Sequence, residues 1–397
     1  MIPSIYPDLT LSDFGAFLSV WKNKDEEFET EILKHFGFKY AQTYSNGRAG
    51  LFHVLQAHNI KNKKIIITAY TCCVVTEAII QSGNTPFFID TDEGSFNSTI
   101  LENHITALGD ELGAVVITNI FGIQVQQEYD FLTRRKNYIV IIDSALAPAL
   151  VRSADRNSCD YVYISTGVRK PYSCLGGGIV LTDNEKLYEH LKNHTLSRRK
   201  PKNKTAQLKR FILTTMFFFG FNPVLYPFTF ILRRKTNLLN SFFSETGNDI
   251  FTVNPEYFYP MARFQARIGI VQLKKINRLL ETRRISGDIY FRLLEPHYDW
   301  VKTFLKPGTA YSHMPYLHPE RDKLEVFLNN NSIDTERYFD YTIPDIKQYG
   351  DDGNYPRSHK IGKQILNLPM NVGLTEKKIS YVVQKIIEFD KLNSKNK

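Results

Sequence analysis

The chain predicts an α/β fold: a large, mostly parallel, doubly wound sheet followed by a smaller C-terminal α+β domain. Short apolar runs at Lys64–Thr68, Pro86–Ile89, Ala114–Thr118 and Tyr138–Ile142 are separated by stretches long enough for helices. Strands covered on both faces read as such unbroken runs, and their alternation with helices is the pattern of a parallel sheet. Length agrees, because 397 residues exceed a usual single domain and make two expected, over 1–248 and 249–397.

Taken in order, Met1 to Lys39 reads as partly helical. Asn46 and Gly47 then make a turn, after which Leu51, Val54 and Leu55 fall on one helical face. Ser45 to Ala49 therefore stands at a helix start, where unpaired N–H groups favour an anion such as phosphate. Many helix starts with small residues bind nothing, so this feature alone leaves both readings open. Ligands of doubly wound sheets lie beyond the C-terminal ends of the strands. Asp143 follows the run YIVII at one such end, and Asn119 and Gly122 stand at another. A carboxylate there can pair with a protonated heterocyclic nitrogen, or it can cap the turn over Ser144 and Ala145.

The stretch YVYISTGVRKPYSCLGGGIV, Tyr161 to Val180, reads as buried strand, hydroxyl- and amine-bearing turn, glycine run and second strand. A partly desolvated lysine in such a turn is a nucleophile able to hold a carbonyl cofactor as a Schiff base. A water-facing loop would carry the same residues. Lys170 gains its interest from the rest of the chain.

The net charge of +9 favours anionic partners: a phosphorylated substrate, nucleic acid or a membrane surface. No recognition helix or aromatic single-strand motif supports nucleic acid, which is not expected as a partner. Cys72, Cys73, Cys159 and Cys174 lack the CxxC spacing of zinc or redox sites, and no metal is expected. MIPSIYPDLT lacks the basic-then-apolar order of a secretion signal, so a cytoplasmic protein is expected.

Residues 197–235 are the departure. Basic ends, SRRKPKNK and RRK, bracket an uncharged, aromatic stretch from Phe211 to Leu232. Its length approaches that of a bilayer span, but Gly220, Pro223 and Pro227 interrupt it. Two readings stand: contact with the inner face of a membrane, or packing on protein. Further on, Phe264, Ile268, Val271, Leu273 and Ile276 suit a long helix. TYSHMPYLH and DKLEVFLNNNSIDTERYF suggest strand then helix, and Thr375 caps a last helix striped by Ile379, Val382, Val383, Ile386 and Ile387.

Read together, SNGRAGL (45–51), IITAYT (66–71), GNTPFFIDTD (83–92), TNIFG (118–122), IIDSA (141–145), ISTGVRK (164–170), GGG (176–178), MARFQARIGIVQLKKI (261–276) and NLPMNVGLTEKKISYVVQKII (367–387) resemble, in order, the DegT/DnrJ/StrS sugar aminotransferases. These are pyridoxal-phosphate enzymes of fold type I, in the aspartate aminotransferase superfamily. The resemblance covers most of the chain, and the ordered set is far more specific than any one motif.

It implies Lys170 as the Schiff-base lysine and proton carrier, where dehydratase relatives have histidine. Asp143 would pair with the pyridinium nitrogen. Gly47 and Arg48 would meet the cofactor phosphate through backbone N–H groups, and Ser165 through its hydroxyl. Asn119, standing for a frequent histidine, would reach the phenolic oxygen, and Tyr70 would stack on the ring, though its sequence position equally suits a core tyrosine. The chain departs from the family pattern at Leu146 (usually His or Gln), at Cys72 (often aromatic) and at Phe258, where an asparagine often reaches the neighbouring subunit's phosphate. The implied reaction moves an amino group, by analogy glutamate's, through the pyridoxamine form of the cofactor to a keto or aldehyde sugar. That sugar is expected to be nucleotide-linked or acidic, and to serve surface polysaccharide or lipopolysaccharide. A pyridoxal-phosphate sugar dehydratase or isomerase is the alternative, with a non-catalytic membrane-binding module behind it, and a homodimer is expected.

Overall fold

A computed structural model describes residues 1–4, 7–19, 25–125, 127, 130–133, 137–154, 157–200, 208, 211, 212, 214–216, 218, 250–349 and 353–394. Seven strands form the main sheet: β1 (Tyr40–Tyr44), β2 (Lys64–Thr68), β3 (Thr85–Ile89), β4 (Leu112–Thr118), β5 (Ile139–Asp143), β6 (Tyr161–Ser165) and β7 (Gly178–Thr182), in the order β1-β7-β6-β5-β4-β2-β3. β7 runs antiparallel to both its neighbours, and the other pairings are parallel. The expected doubly wound sheet is present. β4 is buried along its whole length because helices and loops cover both of its faces, which is why LGAVVIT carries no alternation.

Helices α1 (Leu11–Leu18), α2 (Asp25–Phe36), α3 (Gly47–Ala57), α4 (Cys73–Gln81), α5 (Glu102–Leu108), α6 (Asp130–Thr133) and α7 (Glu185–Arg198) belong to this half. Asn46 caps α3, its Oδ1 accepting from Ala49 N–H at 2.9 Å. Leu51, Val54 and Leu55 point into the core. The long helix α8 (Arg263–Leu294) packs on α1 and α2 and leads into the smaller half. There α9 (Trp300–Phe304), α10 (Arg321–Asn330), α11 (Pro356–Gln364) and α12 (Glu376–Ser394) surround the hairpin-like pair β8 (Met314–Leu317) and β9 (Ile365–Leu368), which run antiparallel. Thr375 caps α12: its carbonyl accepts from Ile379 N–H at 3.0 Å and its hydroxyl from Lys378 N–H at 3.4 Å.

The boundary expected near Asp249 lies outside the described residues, as does most of 197–235. The first four residues, grouped by sequence with the sheet, join the smaller half. Ile2 bridges Ile333. Ser4 Oγ donates to Asp334 Oδ2 at 2.7 Å, and its carbonyl accepts from Met370 N–H at 2.7 Å.

Candidate active site

The cleft opens at the C-terminal ends of β2, β4, β5 and β6, where parallel strands leave their last carbonyls and the loops that follow. Its empty space, mouth included, is about 920 Å³. Gly47, Arg48, Asp143, Ser165 and Lys170 all line it, together with Thr71, Cys72, Thr118, Leu146, Tyr163, Arg169 and Phe339. Five residues singled out by sequence thus converge from two strand ends and one helix start.

Backbone proximity builds one end. A Cβ on Gly178 would fall 2.4 Å from Asn46 O, so β7 passes α3 only because that residue has no side chain. A Cβ on Gly47 would lie 3.0 Å from Ser165 Cβ. The first turn of α3 and the end of β6 are therefore in contact, with the Ser165 hydroxyl beside the helix start. Arg48 reaches the other way, its Nη1 pairing with buried Glu77 at 2.9 Å.

At the floor, Asp143 is 4% exposed. Burial pushes its carboxyl upward, against hydrogen bonds from Tyr163 and Ala145 N–H (2.9 Å) and the nearby charge of Lys170. Asp143 does cap the following turn through Ala145, as one sequence reading held, and it faces the cleft as well.

Lys170 Nζ donates to Tyr338 Oη at 2.8 Å. Tyr338 comes from the smaller half and was not read from sequence, nor was its support. Its ring stacks on His313, with centroids 4.1 Å apart and planes at 11°, and its N–H donates to Asn367 Oδ1 at 2.7 Å. His313 is fully buried, and its Nε2 has no partner among the described residues. Burial first, then the charges of Lys170, Arg283 and Arg169, hold its imidazole well below its ordinary value, hence neutral. Arg283 anchors this wall by donating to the carbonyls of Tyr311 and Ser312 at 3.1 and 2.8 Å, and burial lowers its guanidinium to about 10. Phe339 enters the cleft with φ +63°, a left-handed conformation that costs a bulky residue about 1–3 kcal/mol and concentrates at functional sites.

Two residues lie elsewhere than the resemblance implied. Tyr70 is fully buried among Phe96, Phe121 and Phe339 and does not line the cleft. It is a core ring, as the strand-end sequence equally permitted. Asn119 also stands outside the lining, its Oδ1 accepting from Val125 N–H at 3.0 Å, which holds the loop after β4. Phe258 packs on Phe52 and His53, and the Lys200 ammonium lies 5.4 Å from its ring centre.

The residues present fit an aromatic aldehyde phosphate. The buried hydroxyls Thr71 Oγ1 and Thr118 Oγ1, both on the cleft, have no hydrogen-bond partner among the described residues. Buried donors of this kind are costly unless a ligand or water meets them. A side-chain-free helix start, a hydroxyl beside it, a buried carboxylate and an amine complete the set.

This architecture is that of fold-type I pyridoxal-phosphate enzymes, with a large sheet domain and a smaller C-terminal one. Residues 14–229 and 231–387 match the DegT/DnrJ/EryC1/StrS aminotransferase family, and the chain belongs to that family. Among its relatives, dTDP-4-amino-4,6-dideoxy-D-glucose transaminase of Shigella dysenteriae is 22% identical over 404 residues, covering 95% of this chain and 96% of its own. Two solved structures share the fold. A putative sugar aminotransferase from Streptococcus pneumoniae in its PMP form gives a TM-score of 0.72 at 17% identity, over 97% of this chain and 98% of the other. Helicobacter pylori PseC, an aminotransferase of pseudoaminic acid biosynthesis, gives 0.70 at 17%, over 98% of both. The chain is thus a sugar aminotransferase by family, and that family depends on pyridoxal phosphate.

Proposed function

We propose that this enzyme transfers an amino group from glutamate to a keto or aldehyde sugar bearing an anionic group, nucleotide-linked or acidic, for surface polysaccharide or lipopolysaccharide. The observation that carries the assignment is the meeting of Lys170 and Asp143 in one cleft. A nucleotide-linked acceptor is supported by relatives named for dTDP- and GDP-sugars and by Arg169 on the cleft wall of a basic chain. We place the reaction in the cytoplasm and expect two copies to assemble as a dimer.

Pyridoxal phosphate, when bound, supplies an electron sink and carries the amino group between the two half-reactions. Gly47 and Arg48 at the start of α3, with the Ser165 hydroxyl, would receive its phosphate, since amides at a helix start favour a dianion. Asp143 would pair its carboxyl with the ring nitrogen, where hydrogen bonds from Tyr163 and the Ala145 amide and the charge of Lys170 oppose the upward push of burial. The hydroxyls of Thr71 and Thr118 would meet the cofactor's polar edge. Lys170 Nζ would take the proton from the amine-bearing carbon of the donor and hold it for return on the far side of the transferred nitrogen, a transfer made efficient by tethering. Tyr338 holds that amine in place through its hydroxyl. Phe339 and Leu146 keep water from the reacting face.

The test is reconstitution with pyridoxal phosphate, borohydride reduction and peptide mass measurement, alongside a glutamate-coupled assay. An adduct on Lys170 and stoichiometric 2-oxoglutarate and amino-sugar are expected. Lys170→Ala should lose the adduct and about 10²–10⁴-fold or more of the rate. No adduct on Lys170 removes the proposal. Adduct with sugar turnover but no glutamate consumption would assign the dehydratase chemistry instead.

A further inference from the structure

We infer that this chain holds a second binding site, for an uncharged saccharide, between the loop after β3 and the smaller half. The inference does not rest on the aminotransferase reading. The cavity's empty space, mouth included, is about 1030 Å³, and it shares no lining residue with the cleft of Lys170. Hollows between two halves, walled by rings and a few convergent polar groups, are where small molecules bind.

Its construction starts at the end of β3. Asp90 accepts from the N–H groups of Arg357 and Ser358 at 3.1 and 2.8 Å, which fixes the first turn of α11 to the sheet half. Gly94, with φ +64°, brings the same loop against α9, since a Cβ there would lie 3.0 Å from Thr303 Cβ. Asp92, Glu93 and Gly94 thereby form one wall. A second wall is aromatic. Tyr298, Trp300 and Phe304 line it while only partly buried, and Tyr298 and Trp300 each meet the buried Tyr316 edge-on, with centroids 5.6 and 5.4 Å apart. The bare part of such a ring presents negative potential, to which the weakly positive hydrogens of C–H groups are drawn.

Polar groups enter from several elements. On α12, Asp390 is 33% exposed, and its two oxygens accept from Tyr298 Oη at 2.5 Å and His318 Nε2 at 2.9 Å. His318 Nδ1 accepts from Glu320 N–H at 3.0 Å, so Nε2 carries the proton and the imidazole fixes the carboxylate. Each oxygen keeps a lone pair for a further donor. Tyr316 Oη is buried on the cavity wall with no well-formed hydrogen bond among the described residues, a state that a ligand hydroxyl or water relieves. α11 adds Arg357, Lys360 and Gln364, spaced to share one helical face.

Charge narrows the ligand. Asp92, Glu93 and Asp390 border the space together with Arg357 and Lys360. An anion would meet three carboxylates and a cation two basic groups, so neither sign is selected. A neutral molecule with a C–H face and a rim that both donates and accepts satisfies rings and polar groups at once, and a pyranose is such a molecule. A neutral aromatic ligand would stack on the rings and leave polar groups of three elements unmet, at a cost.

The test is saturation-transfer difference NMR on the full, cofactor-loaded chain with methyl α-glucopyranoside, N-acetylglucosamine and maltose, against glucose 6-phosphate, glucosamine and uridine as contrasts. Binding of at least one neutral sugar, strongest at its ring C–H protons and tighter than every contrast, is expected. Trp300→Ala should weaken it about tenfold, and Glu93→Ala/Lys360→Ala, separately, about threefold or more. Thermal unfolding checks that each variant folds; Glu93 and Lys360 are exposed, so the second variant stands in if the first does not. Trp21→Phe leaves Trp300 as the remaining one of two tryptophans, and its emission should shift as sugar is added. No neutral sugar bound, a contrast bound as tightly, or unchanged Trp300 emission overturns the inference. So does binding unchanged in a folded variant, which places the sugar in the cleft or elsewhere.

Discussion

Lys170 is positioned by a residue 168 places away in the chain. The hydroxyl of Tyr338 accepts from Nζ, while the phenol ring is held from behind by a neutral His313. Tyr338→Phe removes only the hydroxyl and keeps the stacking. A hydrogen bond to a charged group is worth about 1.5–3 kcal/mol, so kcat should fall about 10- to 100-fold with KM changed less than about threefold. The Lys170 adduct and the melting temperature should be unaltered, and a variant that merely melts earlier would show Tyr338 to be structural. Sequence disclosed one side of this contact. Lys170 and Asp143 each follow an apolar run that ends in a polar residue, a signal that parallel strands impose. Tyr338 and Phe339 close the segment DKLEVFLNNNSIDTERYF that reads as helix, but α10 ends at Asn330 and both lie in the irregular backbone beyond it, with no periodicity to expose them. Tyr70 stood at a strand end as Asp143 does, but an aromatic ring there can turn into the core, and it does.

At the scale of elements, α3 and α7 meet through histidines. His53 Nε2 donates to the Tyr257 carbonyl at 2.9 Å, so its Nδ1 must accept from His194 Nδ1 at 3.4 Å. Burial first lowers both imidazoles to about 4, helped by the charge of Arg198 and, for His194, by His53 and His190; the Tyr257 bond opposes this at His53. His58, beside His190, is lowered as well, again chiefly by burial. Folded values below the ordinary 6.5 mean that the unfolded chain binds protons first. Stability is therefore intact above pH 6.5 and is lost as pH falls towards 4. His53 should contribute a slope approaching about 1.4 kcal/mol per pH unit, and His194, half-buried, less. Denaturant unfolding across that range should show the loss, and His53→Gln should flatten it; an equal slope in the variant would exclude this pair as the cause. Strands were legible here, with β2 expected and found at Lys64–Thr68. β1 was missed, because YAQTY at the sheet edge breaks alternation with adjacent polar residues, Gln42 and Thr43, and is too short to separate from loop.

For the molecule as a whole, the seam between the chain's beginning and its last hundred residues is the least expected feature. Ile2 N–H donates to the Ser332 carbonyl at 2.8 Å, Asp334 N–H returns the bond to Ile2 at 2.9 Å, and Asn371 Nδ2 reaches the Pro3 carbonyl at 2.8 Å. Asp334 is 1% exposed, so the Ser4 hydroxyl that meets it serves a buried carboxylate. Ser4→Ala should cost about 1–3 kcal/mol by urea unfolding and leave the Lys170 adduct intact; an unchanged midpoint would mean that water replaces the hydroxyl. No periodic pattern could announce this seam, since MIPS has no repeat to read and its partners lie over 300 residues away.

That seam also imposes an order on biosynthesis. Residues 2–4 leave the ribosome before positions 332–371 and wait, without their hydrogen-bond partners, until those have been translated. Contacts of such sequence separation close late and slowly.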